Sequence, residues 1–141
     1  QASQPERIYT DVVLAIKSEF VEWIRERRKN HEFRSYKLRS TVQRLWLYES
    51  SPRCAIRFVV VTTLPKVPGE LNDFSGVGND DFDAGRMSSY AYPVRALYEL
   101  EAPVTREELH ARFGIKSPQG YCYAAKALVE TMPLEGMRQV F

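Results

Sequence analysis

Between Lys29 and Arg34 the sequence Lys-Asn-His-Glu-Phe-Arg sets two cations around one carboxylate, so that Lys29, Glu32 and Arg34 can gather near one edge of a sheet. A carboxylate at Glu32 can accept hydrogen bonds from an exocyclic amine or a ring N–H, while Lys29 and Arg34 can donate to a carbonyl or a phosphate. That is chemistry suited to the edge of a nucleobase. Phe33, Tyr36 and Trp46 lie within or beside the same segment. Trp46 or Tyr48 is placed to stack on a base, an interaction worth roughly 1–3 kcal/mol. The competing reading makes Glu32 and Arg34 an ordinary ion pair on a strand and Trp46 a core residue, and the sequence leaves both open.

Several elements must position these groups. Asp11 to Ile16 is β-branched and apolar, which predicts a strand, and Ser18 then offers a helix N-cap with Glu19 and Glu22 early in the helix. Phe20, Trp23 and Ile24 follow a helical rhythm and are expected to face the core. His31–Tyr36 and Thr41–Glu49 alternate as strands, the second placing Val42, Arg44, Trp46 and Tyr48 opposite Gln43, Leu45, Leu47 and Glu49. Cys54–Thr63, the most hydrophobic segment, reads as a central strand. Residues 65–92, rich in Gly and Pro, read as a long acidic loop, and 93–100 returns to a strand. Thr105 followed by Glu108 is a capping box that predicts a helix over 106–113 with Gly114 as its C-cap. A short extended piece and a helix over 124–132 follow. Helices and strands do not alternate regularly, so the expected class is α+β with a curled, mainly antiparallel sheet.

The chain has 141 residues, which bounds it to one domain, 1–141, with one core and 1–9 as a flexible lead. Two cysteines and two histidines form no pairs at metal-ligand spacing, so neither a metal nor a cofactor is expected. The trio Asp80, Asp81 and Asp83 lacks the ligand spacing of a calcium loop. No P-loop, dinucleotide fingerprint, G-x-S-x-G elbow or H-E-x-x-H helix occurs. The apolar runs are too short for a membrane helix, and the expectation is a soluble intracellular protein, cytoplasmic or nuclear, with no membrane partner.

The net charge of +2 conceals a separation. From Arg25 to Arg44 there are eight basic residues against Glu26 and Glu32, a local charge of +6, and Arg27, Arg28, Lys37 and Arg39 are the candidates to meet phosphate. From Glu70 to Asp83 there are five acidic residues and no Lys or Arg, and this stretch is the candidate docking surface for a protein partner.

The segment Arg27-Arg28-Lys29-Asn30-His31-Glu32-Phe33-Arg34 resembles the ASCH domain signature G-x-K-x-x-E-x-R, with Arg27 at the place of the glycine. Leu14-Ala15-Ile16-Lys17-Ser18-Glu19-Phe20 resembles the strand-to-helix entry of that family, and Trp46-Leu47-Tyr48-Glu49 its later strand. ASCH domains are similar to PUA, YTH, EVE and SRA domains. The resemblance implies a PUA-like curled β-barrel of five to six strands flanked by helices, a partner that is RNA or a modified nucleobase, and a ligand cleft beside Lys17, Lys29, Glu32 and Arg34. Some small ASCH proteins are amidohydrolases on N4-acetylcytidine, using the signature lysine and a threonine three residues later. Lys29 matches the lysine, but Glu32 holds the threonine position and has no hydroxyl with which to attack. Glu32 is also expected to keep Lys29 charged, which leaves water activation by Glu32 as the catalytic possibility. A binding module is therefore the leading expectation and an amidohydrolase the alternative.

Overall fold

A computed structural model describes residues 4–141. Its strands and helices run β1 (Arg7–Ile16), α1 (Ser18–Arg25), β2 (His31–Arg34), β3 (Arg44–Glu49), β4 (Ala55–Val61), α2 (Asn79–Asp83), β5 (Tyr90–Pro93), β6 (Ala96–Thr105), α3 (Arg106–Phe113), β7 (Tyr121–Ala125), α4 (Lys126–Thr131) and β8 (Arg138–Gln139). Six strands form one sheet in the order β7-β1-β3-β4-β6-β8, and β2 pairs with β5 in a separate ribbon. Among the described residues only β1–β3 is parallel, and every other ladder is antiparallel. The class is the expected α+β. The order has two ends, β7 and β8, so the sheet stays open where a closed barrel was expected.

The sheet separates two apolar clusters, where the sequence suggested one core. Val12, Leu14, Leu45, Leu47, Phe58 and Val60 pack with Val21 and Ile24 of α1 and Tyr92 of β5. Val13, Trp46, Ile56 and Val59 pack with Leu109 and Phe113 of α3 and Leu128 of α4. Alternate residues of each central strand serve opposite faces, which is why β4 is apolar almost throughout.

Several boundaries differ from the sequence reading. β1 begins at Arg7, paired with Ala125, so 7–9 belong to the sheet and are not a flexible lead; residues 1–3 lie outside the described residues. Ser18 does not cap α1, whose N-cap is Lys17; its hydroxyl instead donates to Glu49 Oε1 at 2.9 Å. Thr105 does cap α3, accepting from the Glu108 N–H at 3.1 Å, and Gly114 closes that helix with φ of 68°.

The stretch 65–92 is an ordered flap and not a plain loop: it contains α2 and the start of β5, with Leu71, Phe82 and Ala91 packed against Phe33. Its acids hold it in shape. Asp83 accepts backbone N–H bonds from Gly69, Leu71 and Asn72 at 2.9, 3.1 and 2.8 Å, and Asp73 binds Ser75 and Asn30. Side chain–backbone bonding of this kind leaves no hydrophobic period to read. Among the described residues no helix is long and apolar enough to cross a membrane.

Candidate functional site

The site is built where β1 ends, α1 begins and the β2–β5 ribbon crosses in front of them. At the end of α1 the N–H groups of Arg28 and Lys29 both reach the Trp23 carbonyl, at 2.8 and 3.1 Å, and Arg27 adopts φ of 63°. This left-handed position is where the ASCH signature carries glycine, the residue that meets no steric penalty there. In this chain Arg27 holds the same turn while its guanidinium lies 4.3 Å from the centre of the Phe141 ring. The reversal delivers Lys29 and starts β2, whose Glu32 and Arg34 share one face.

The three signature side chains do come together. Arg34 donates to Glu32 Oε2 through Nε at 2.9 Å and Nη2 at 2.7 Å, to the Ala15 carbonyl at 2.7 Å and to the Tyr36 hydroxyl at 2.9 Å. Four of its five donor hydrogens are thereby used in holding β2 to β1 and fixing Glu32. Lys29 Nζ stands 3.4 Å from Glu32 Oε1, an ion pair longer than a formed hydrogen bond. Glu32 Oε1 is a buried oxygen with no hydrogen-bond partner. Lys29 itself is 5% exposed and packs its ammonium 5.2 Å from the Phe20 ring centre and 4.5 Å from that of Phe33.

Burial pushes the Lys29 pKa below its ordinary value, and the attraction of Glu32 only partly restores it. The expectation that Glu32 keeps the Lys29 pKa from falling is corrected by this: desolvation outweighs the neighbour. For Arg34 the balance is the reverse, because burial is more than offset by Glu32 and Tyr36 and the pKa rises. The Tyr36 phenol is pushed up by burial, with Arg34 opposing.

A cleft of about 480 Å³ opens in front of this group, walled by Lys17, Phe20, Glu32, Phe33, Arg34 and Tyr36, with Ser88 of the flap and Gln119 ahead of β7 at its margins. Lys29 is not on the wall; it supports Glu32 from behind. Trp46 and Tyr48 are not in the cleft either. Both are buried on the α3–α4 face of the sheet, where Trp46 Nε1 donates to Asp11 Oδ2 at 2.7 Å. The alternation holds over Arg44–Glu49, though Val42, ahead of the strand, packs with Leu45 and Leu47; α1 and Tyr92 of β5 cover that face, so the aromatic face points away from the site. The cleft rings are instead Phe20, Phe33 and Tyr36. Phe20 packs against the core cluster, as its helical spacing with Ile24 predicts, and walls the cleft as well, whereas Trp23, expected in the core, is only half-buried and lies against Phe20 and Arg28.

The basic run is partly neutralised. Arg25 pairs with Glu22, Arg28 with Glu26 and Arg44 with the buried Asp11. Arg27, Arg28, Lys37 and Arg39 are all exposed, but Arg27 and Arg28 lie at the end of α1 away from Lys17, while Lys37 and Arg39 follow directly from the cleft residue Tyr36. Behind β2, Asn30 Oδ1 accepts from Asn79 Nδ2 at 2.9 Å and meets His31 Nδ1 at 2.7 Å, fastening the flap to the ribbon. Burial, with Lys66 and Lys29 nearby, takes the His31 pKa down to about 4.

An open α+β sheet with a strand-to-helix entry, a tight turn and an acid–arginine strand over a lateral cleft defines an ASCH-like fold. A serine-to-alanine variant of the ASCH protein from Zymomonas mobilis aligns over 91% of this chain and 99% of its own, with a TM-score of 0.67 and 17% identity. The unsubstituted ASCH protein from Zymomonas mobilis aligns over 87% and 93%, with a TM-score of 0.65 and 18% identity. No protein-family model and no curated protein matches the sequence.

Proposed function

We propose that this chain is a nucleic-acid binding module, with RNA as the favoured partner, that receives one base, plain or modified, in the cleft beside Glu32. The observation that carries the reading is Glu32 on the wall of an aromatic-lined cleft, its buried Oε1 3.4 Å from Lys29 Nζ and without a formed hydrogen bond. A carboxylate whose lone pairs are not all taken by protein donors keeps acceptor capacity for a base edge bearing an amine or ring N–H. Phe20, Phe33 and Tyr36 offer rings to stack on, and Lys17 sits at the rim for a phosphate. The ASCH-like fold supports the same reading at the level of its class.

Isothermal titration with a panel of nucleosides and short single-stranded oligonucleotides, repeated with Glu32→Gln, tests it. Bases that present an N–H donor are expected to bind, to lose tenfold or more with Glu32→Gln, and in oligonucleotide form to bind more weakly as salt rises. Absence of binding to any member at 50 mM salt overturns it.

A second reading, hydrolysis of an N4-acylated cytidine, is favoured by one observation, Glu32 on the cleft wall, where a carboxylate can activate water with Lys29 supporting it from behind. Lys29→Met is then expected to abolish turnover. Turnover that survives the change removes the role.

A further inference from the structure

We infer that a single-stranded RNA whose base enters the cleft leaves it over a ladder of tyrosines ending at Tyr9 and Arg39. The inference rests on the cleft reading above but is carried by a different set of residues. Tyr36, on the cleft wall, lies 4.6 Å from Tyr121 between ring centres; Tyr121 lies 5.8 Å from Tyr123, and Tyr123 lies 5.1 Å from Tyr9. The Arg39 guanidinium covers Tyr9 at 3.8 Å and reaches Tyr123 at 5.3 Å from their ring centres. Tyr9 is 41% exposed, the other three rings are half-buried, and Lys37 and Arg39 are exposed beside them.

The ladder runs along β7, an edge strand of the main sheet among the described residues. From the cleft to Tyr123 its charge is of one sign. No acidic residue occurs between Phe33 and Tyr48 or between Gly114 and Val129, the two segments that supply the path from the cleft to Tyr123. Aromatic faces alternating with cations, without carboxylates, are the surface that binds single strands with little regard to sequence. Arg39 laid on Tyr9 adds a planar guanidinium on which a base can stack. On the flap side Ser88 lines the cleft, and the flap exposes Glu70, Asp80 and Asp81, the last paired with the exposed Arg86 at 2.9 Å. A phosphodiester chain leaving over the flap would meet carboxylates as well as Arg86, whereas the path from the cleft to Tyr123 offers it cations alone.

The test uses the full chain, a fluorescein-labelled unstructured 12-mer RNA of adenines and cytidines, the same RNA annealed to its complement, and the free nucleosides. Tyr9→Ala and Arg39→Ala are each expected to weaken the single strand about tenfold, with nucleoside affinity unchanged. Arg39→Ala is further expected to make the slope of log affinity against log salt shallower by about 0.7. The duplex is expected to bind at least tenfold more weakly than the single strand, because its bases cannot reach the rings. Single-strand affinity indifferent to both variants, or equal affinity for the duplex, overturns the ladder while leaving the cleft reading intact if nucleosides still bind. Loss with Tyr9→Ala and Arg39→Ala but none with Glu32→Gln upholds the ladder and overturns the cleft. Failure of nucleosides and RNA alike overturns both.

Discussion

Replacing Glu32 by Gln keeps the shape of the side chain and an oxygen for Arg34 but removes the counter-ion of Lys29. Lys29 is 5% exposed and its ammonium is enclosed by Glu32 and two aromatic rings. Breaking a buried pair by removing one partner costs about 3–5 kcal/mol. Deprotonation of the stranded lysine limits the loss, since giving up its proton at pH 7 costs about 1.4 kcal/mol for each unit by which its pKa exceeds 7. A lysine already lowered by burial reaches that limit sooner, which puts the expected loss at about 2–4 kcal/mol at pH 7.

The pH dependence has a defined sign. The folded pKa of Lys29 lies below the unfolded one, so between the two the unfolded chain holds more protons and stability rises with pH. Without Glu32 the folded value falls further and the window widens downward. The gap between variant and parent is therefore largest at pH 7 and below and closes as pH approaches the ordinary lysine pKa. Urea unfolding at pH 7.0 and 9.5 measures both, and adding Lys29→Met to the Glu32→Gln variant is expected to recover most of the loss. A loss under about 1 kcal/mol that is equal at both pH values and indifferent to Lys29→Met would refute the buried-triad argument.

Two further outcomes follow from residues outside the cleft. Trp46→Phe removes a donor from Asp11, which is fully buried, and is expected to cost about 1–3 kcal/mol in urea unfolding with nucleoside affinity unchanged; reduced affinity without lost stability would return Trp46 to the site. His31 has a folded pKa of about 4 against 6.5, so as pH falls through that window the unfolded chain takes up a proton that the folded chain refuses, and stability drops by about 3 kcal/mol. His31→Gln is expected to flatten that dependence between pH 6.5 and 4, and an unchanged slope contradicts it.

What the sequence made legible was whatever depends on local pattern. The capping box at Thr105, the apolar β4 and the acid–arginine strand are each set by spacing within a few residues. The triad was legible because Lys29, Glu32 and Arg34 are neighbours in sequence as well as in space. The sequence could not say which face of β3 meets the site, because alternation defines two faces without saying what packs on either; Trp46 and Tyr48 were misplaced for that reason alone. The tyrosine ladder joins residues 9, 36, 121 and 123, brought together by the pairing of β1 with β7 and by Arg34, which ties the segment before Tyr36 to the Ala15 carbonyl. The order within 65–92 comes from Asp73 and Asp83 bonding to backbone, where an acidic side chain reads the same whether it serves solvent or a turn.

The parallel pairing of β1 with β3 has a kinetic side. Parallel neighbours need a crossover, and here residues 17–43 form it, carrying Lys17, Phe20, Lys29, Glu32, Arg34 and Tyr36. The groups proposed to bind thus travel on a segment whose closure is an entropic barrier to be crossed before the central sheet is complete. A ligand that touches both the end of β1 and β2 clasps that segment shut and acts mainly on the rate of opening. Slow exchange of the Arg34 and Phe33 amide protons in the bound state would be its signature.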